Sequence, residues 1–77
     1  MSPSEIEIHL IEVISTVLGQ PVNADASRAT ESGWDSLKHI QIVFAVEEKF
    51  NVQFEEEEIP ALDSLVKIQA KLLTHAA

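Results

Sequence analysis

Apolar residues return at intervals of three and four along the first stretch of this chain: Ile6, Leu10, Val13, Ile14, Val17 and Leu18. That spacing collects them on one side of an α-helix and predicts an amphipathic helix over roughly 3–18. Ser2 and Pro3 suit its start, a capping hydroxyl and then a proline where a helix accepts one, with Glu5 and Glu7 in the first turns. Gly19 supplies the stop, and Pro21 prevents the helix from resuming.

The stretch from Asp35 to Phe50 is ambiguous. Ile40-Gln41-Ile42-Val43-Phe44-Ala45-Val46 is rich in β-branched residues and passes for a strand. Asp35 as an N-cap, and an apolar series at 42, 46 and 50 that runs on through Glu47, Glu48 and Lys49, favour a helix instead. Sixteen residues is also long for a strand and ordinary for a helix. Asn51 marks its end.

Between these helices, residues 19–34 show no period. A connection that long is either functional or tied down by its own side chains, for which Val22, Ala24, Ala26 and Ala29 are the candidates, with Gly33 closing the loop. Downstream, Pro60 forbids a long helix after Glu55–Glu58 and leaves one short turn or two. Asp63 or Ser64 then caps a last helix whose inner stripe is Leu65, Ile68, Leu72 and Leu73. The expected fold is all-α: a small four-helix bundle of three longer helices and a short third one, with a long loop between the first two. A single domain over residues 1–77 is expected, without internal repeats.

A domain this small buries only about 60% of the surface its unfolded chain exposes, so modest stability is expected. Its hydrophobic fraction of 45% still supports a packed core, mainly aliphatic since the aromatics are one Trp and three Phe. There is no cysteine, so any thiol chemistry has to be imported on a cofactor. The formal net charge of −8 argues against nucleic acid or anionic membrane as a partner and fits encounters with basic protein surfaces. No stretch resembles a membrane span or a signal peptide, and a cytoplasmic protein is expected.

The sharpest local feature is Gly33-Trp34-Asp35-Ser36-Leu37, at the junction of loop and helix. A serine at the first helical position sits among backbone N–H groups without intrahelical partners, and these with the helix dipole suit an anionic modification of its hydroxyl. Asp-Ser-Leu by itself is weak, because Ser and Asp favour any helix start, and Asp63-Ser64-Leu65 repeats it. Ser64 follows a short acidic segment rather than a long loop and reads as a cap.

The surroundings of Ser36 separate the two serines. Gly33-Trp34-Asp35-Ser36-Leu37, followed by Ile40, Val43 and Ala45-Val46-Glu47-Glu48-Lys49-Phe50, resembles the signature of acyl carrier proteins, and the similarity of layout covers essentially the whole chain. The resemblance implies that the Ser36 Oγ accepts 4′-phosphopantetheine from coenzyme A through a phosphopantetheinyl transferase. The arm's thiol would then carry acyl or aminoacyl cargo as a thioester. It implies further partners, namely a loading ligase or acyltransferase and downstream biosynthetic enzymes. They would dock on the start and outer face of the second helix, and Asp35, Leu37, Phe44, Glu47 and Glu48 are nominated for that face. It also implies an interior that opens slightly to shelter acyl chains. Lys38 and Gln41, counted with the docking face, stand where carriers of fatty-acid synthesis usually have acids, and Trp34 is large for its position. These departures predict a specialised stand-alone carrier, expected as a monomer, with its own loading enzyme.

Phe44 has two readings: ordinary core on an apolar stripe, or an exposed aromatic anchor for partners. Glu55–Glu58 reads as a solvated acidic face that steers basic enzymes, since consecutive carboxylates do not converge on one metal ion. His9, His39 and His75 lack zinc-like spacing. His39 lies near the start of the signature helix and could border the arm, but reads more safely as a surface or partly buried histidine. No nucleophile–base constellation or phosphate-cradling loop is present, so no catalysis by the chain itself and no metal site are expected. Two other function classes stay open from the residues: a carrier-like interaction subunit without a prosthetic group, and an acidic divalent-ion binder.

Overall fold

The computed structural model describes residues 2–76, with side chains through Thr74, so the side chain of His75 lies outside the described residues. The chain runs through α1 (Pro3–Leu18), α2 (Ser36–Phe50), a 3₁₀ helix (Glu56–Ala61) and α3 (Leu65–Ala76). This is the small helical bundle expected, with its short third element and long first connection.

Each helix ends where local chemistry ends it. Ser2 and Glu5 form a reciprocal capping box: the Glu5 N–H donates to the Ser2 hydroxyl at 3.2 Å, and the Ser2 N–H donates to the Glu5 carboxylate at 3.3 Å. These contacts, the Ser2 backbone N–H first and its hydroxyl second, hold the Glu5 carboxyl below the usual carboxylate range. Gly19 closes α1 in the left-handed region at φ 72°, its N–H donating to the Ser15 carbonyl at 2.8 Å. Asn51 closes α2 the same way at φ 55°, a conformation that asparagine tolerates better than most residues with a side chain. Ser64, rather than Asp63, caps α3, accepting the Lys67 N–H at 3.1 Å.

α1 packs against both α2 and α3. The core joins Ile6, Leu10 and Ile14 of α1, Ile42, Val43 and Val46 of α2, and Leu65, Ile68 and Leu72 of α3. Val13, Val17, Leu18 and Phe50 lie partly buried against it. Leu73 does not complete the α3 stripe: it is 39% exposed, while Leu72 beside it takes the inward position at 2%.

The long loop is held more firmly than its own small side chains could manage. Val22 and Ala26 are buried as expected, but Ala24 is only half-buried and Ala29 is exposed. The larger anchors are an aromatic and a backbone tie. Trp34 is 2% exposed and makes the core less purely aliphatic than the composition suggests, as does the buried Phe54. Around Ser27 and Ser64, an antiparallel bridge, the Arg28 N–H donates to the Asp63 carbonyl at 2.8 Å and the Leu65 N–H to the Ala26 carbonyl at 3.0 Å. The loop is thereby pinned to the start of α3, which fixes where it delivers the chain to α2. Among the described residues, no helix is long and apolar enough to cross a membrane.

Candidate modification site at the start of α2

Four consecutive residues do different jobs where the loop meets α2. Gly33 leads in, and Trp34 turns inward. Asp35 is extended at φ −93°, ψ −173° and caps the helix, its Oδ1 accepting the Lys38 N–H at 2.8 Å. Ser36 is the first helical residue and is exposed. With Trp34 buried on one side and the Asp35 cap fixing the helix start, Ser36 is exposed at the first turn of α2 and not within the loop.

The Trp34 anchor is itself tied. Its indole Nε1–H donates to His39 Nδ1 at 3.0 Å, and the two rings stack with centroids 6.1 Å apart. An indole nitrogen can only donate, so His39 Nδ1 is the acceptor, and its Nε2–H donates to the Ile59 carbonyl at 2.7 Å. His39 is therefore buried at 3% exposure, where the sequence favoured a surface or partly buried residue. Both ring nitrogens have partners, which removes most of the cost of burying them. The relay connects the loop, α2 and the 3₁₀ helix through one polar core contact.

The Ser36 oxygen has a cationic neighbour that no local motif announces. Arg28, eight residues upstream in the loop, donates from Nη2 to the Ser36 Oγ at 2.7 Å. The site thus offers an exposed hydroxyl, a guanidinium against it, and the first-turn amides of α2 behind it. That set fits an anionic group esterified to Ser36, which would gain a counter-charge and amide donors together. Ser64 offers no such setting: its hydroxyl is spent on the cap of α3 and its backbone on the bridge to Ser27.

Beyond Ser36, α2 turns an apolar stripe to solvent. Leu37 is 66% exposed, Ile40 39% and Phe44 59%, at spacings of three and four. Phe44 is thus on the surface and not in the core, which belongs to Ile42, Val43 and Val46. Ile40 was missed because it reads as part of the β-branched run. Asp35, Gln41 and Glu48 are exposed around this stripe, and Lys38 is half-exposed. Glu47 stands apart from the others nominated, since its Oε2 accepts the Phe54 N–H at 2.8 Å and anchors the segment after α2.

The acidic run disperses. Glu55 to Glu57 are exposed, while Glu58 is half-buried and pairs with Lys71 at 3.3 Å. Among the described residues, no three His, Cys, Asp or Glu side chains converge as metal ligands would.

Comparison with known proteins agrees with the geometry. The family model described as a phosphopantetheine attachment site matches residues 9–69. An acyl carrier protein of Akkermansia muciniphila is 34% identical over 73 residues, covering 91% of this chain and 91% of that one. "Acyl carrier protein 3" of Ralstonia nicotianae is 32% identical over 84% of this chain and 78% of its own. An acyl carrier protein of Helicobacter pylori is 34% identical over 64% of this chain and 72% of its own.

Proposed function

We propose that this chain, which belongs to the acyl carrier protein family with its phosphopantetheine attachment domain, bears its 4′-phosphopantetheine on the Ser36 Oγ and serves one specialised biosynthetic pathway. It is a carrier and not a catalyst. When bound, the arm supplies the thiol that the cysteine-free sequence lacks, on which acyl or aminoacyl cargo is held as a thioester. The observation that carries the assignment is the exposed Ser36 hydroxyl at the first position of α2 with the Arg28 guanidinium against it.

Ser36 contributes the oxygen of the new bond. In the attachment step its Oγ bonds to phosphorus, the pyrophosphate link of coenzyme A breaks to release adenosine 3′,5′-bisphosphate, and the hydroxyl proton leaves to a base of the transferase. Asp35 holds the helix start in place during this exchange, and the first-turn amides favour the charge left on the product. Once loaded, the chain acts by tethering, which raises the effective concentration of cargo at each partner's active site.

Partner enzymes are proposed to dock on the outer face of α2. Leu37, Ile40 and Phe44 form its apolar centre, and Asp35, Lys38, Gln41 and Glu48 its polar rim, an arrangement common in protein interfaces. Glu47 belongs at the far edge, where one carboxylate oxygen is already engaged. The specialised role rests on Lys38 and Gln41: a cation in the first turn of α2 opposes the helix dipole and changes the charge that a general fatty-acid enzyme would meet. We further propose a monomeric single domain acting in the cytoplasm, loaded by its own ligase or acyltransferase.

The test is the mass of the protein isolated from its native cell, mapped by peptide to its attachment point. The expected result is an arm and cargo on the peptide containing Ser36. Loading and elongation by a housekeeping fatty-acid synthase, as efficient as for that system's own carrier, would contradict the specialised role.

A further inference from the structure

Arg28 is the single arginine of a chain with 13 acidic residues and 5 lysines and arginines. Lys67 and Lys71 are both ion-paired, to Asp63 and Glu58, yet no carboxylate among the described residues lies within pairing distance of the Arg28 guanidinium. What fixes the fold at this position is backbone, the Arg28 N–H bonded to the Asp63 carbonyl beside the bridge of Ser27 with Ser64. A turn on the other side is closed by Ser27 and Thr30, each N–H donating to the other's hydroxyl, at 3.0 and 3.2 Å. The side chain is therefore projected from a held backbone, exposed, and among the described residues its hydrogen bond goes to the Ser36 Oγ at 2.7 Å.

A bond from a guanidinium to a neutral hydroxyl leaves most of that group's capacity unused. Arginine offers five N–H donors in a planar fork that matches phosphate oxygens, so a phosphodiester would supply the opposite charge and the paired acceptors that a single neutral hydroxyl lacks. Phosphorylation chemistry at the Ser36 oxygen would put such an anion directly beside it.

We propose that Arg28 is the phosphate clamp of the prosthetic arm: once Ser36 is esterified, the guanidinium donates to the non-bridging oxygens of the phosphodiester and fixes the direction in which the arm leaves the protein. The inference rests on Ser36 being the attachment point. It gives the long loop a function beyond connection, because the loop delivers both the residue that carries the arm and the cation that orients it. The contact is exposed, so salt competes with it.

The single arginine makes the test direct, since its side-chain nitrogen signals need no assignment. The protein, loaded from coenzyme A by a transferase, is compared with its apo form by ¹⁵N NMR, and by ³¹P NMR with R28Q and R28K; intact mass establishes complete loading, and S36A establishes where. The expected result is that the Arg28 Nε signal moves on loading. The ³¹P resonance moves with added salt in the wild type, does so less in R28K, and stays still in R28Q. Complete loading at Ser36 with an unmoved Arg28 signal, or with the same ³¹P behaviour in wild type and R28Q, overturns the clamp alone. No mass gain, or a gain that survives S36A, overturns the attachment reading and the clamp with it. The wild-type comparison needs no substitution and holds even if R28Q folds poorly.

Discussion

Trp34 and His39 are joined side chain to side chain, and that one bond decides much about the residues around Ser36. Trp34→Phe keeps most of the ring but removes the donor, leaving His39 Nδ1 buried without a partner. A loss of about 1–3 kcal/mol is expected in urea unfolding, and a double-mutant cycle with His39→Phe separates the bond from lost volume. A change under about 0.5 kcal/mol would mean that the relay does not hold the loop. Arg28 is a different kind of residue, exposed and joined to Ser36 by a hydrogen bond rather than by packing.

α2 is two-faced, and its faces answer to different measurements. Ile42 and Val46 are wholly buried, so truncating either to Ala should cost about 2–4 kcal/mol for Ile42 and somewhat less for Val46. Phe44→Ala, on the outer face, should leave stability within about 0.5 kcal/mol yet weaken partner binding by roughly tenfold, a 1.4 kcal/mol effect in a titration. Equal destabilisation by Phe44→Ala and Ile42→Ala would contradict the division. For α1, Gly19→Ala meets no neighbouring atom but keeps a positive φ, and a cost of about 1 kcal/mol is expected from the backbone alone. Helix limits such as these were legible because their causes are local: a hydroxyl at Ser2, a carboxylate at Asp35, a glycine at Gly19 and an asparagine at Asn51. The loop was not, because its anchors are remote. The Ser27–Ser64 bridge spans half the chain, and the Trp34–His39–Ile59 relay joins three elements without any periodic signal. The site divided in the same way, Ser36 standing in a recognisable motif and Arg28 reaching it across irregular backbone. A lone arginine in an acidic chain, and a lone tryptophan beside the motif, were the available hints.

At the scale of the molecule, the net charge of −8 is the dominant electrostatic fact. Self-repulsion should make the midpoint of thermal unfolding at pH 7 rise with added salt. It should also rise as the pH is lowered from 7 toward the isoelectric point near 4.6, where that repulsion fades. Two carboxyls oppose the trend in stronger acid. Those of Glu5 and Asp63 are held below their ordinary values of 4.5 and 3.8, by the Ser2 backbone and hydroxyl contacts and by the Lys67 hydrogen bond. Each therefore contributes its stabilisation fully above its ordinary value and loses it as the pH falls through the lower folded value. Both groups are exposed, so this acid limb should be shallow. A calorimetric series against pH should show a maximum near the isoelectric point; a steady decline from pH 7 downward would contradict the balance. The same net charge would speed encounters with basic partners, at rates that fall with ionic strength.

Intact mass tests the attachment of the arm at Ser36 most directly. Purified apo-protein, incubated with coenzyme A and a broad-specificity phosphopantetheinyl transferase, should gain the mass of one phosphopantetheinyl group. Ser64→Ala should gain the same mass and Ser36→Ala none. No gain in the wild type, or a gain that survives Ser36→Ala, would contradict the assignment.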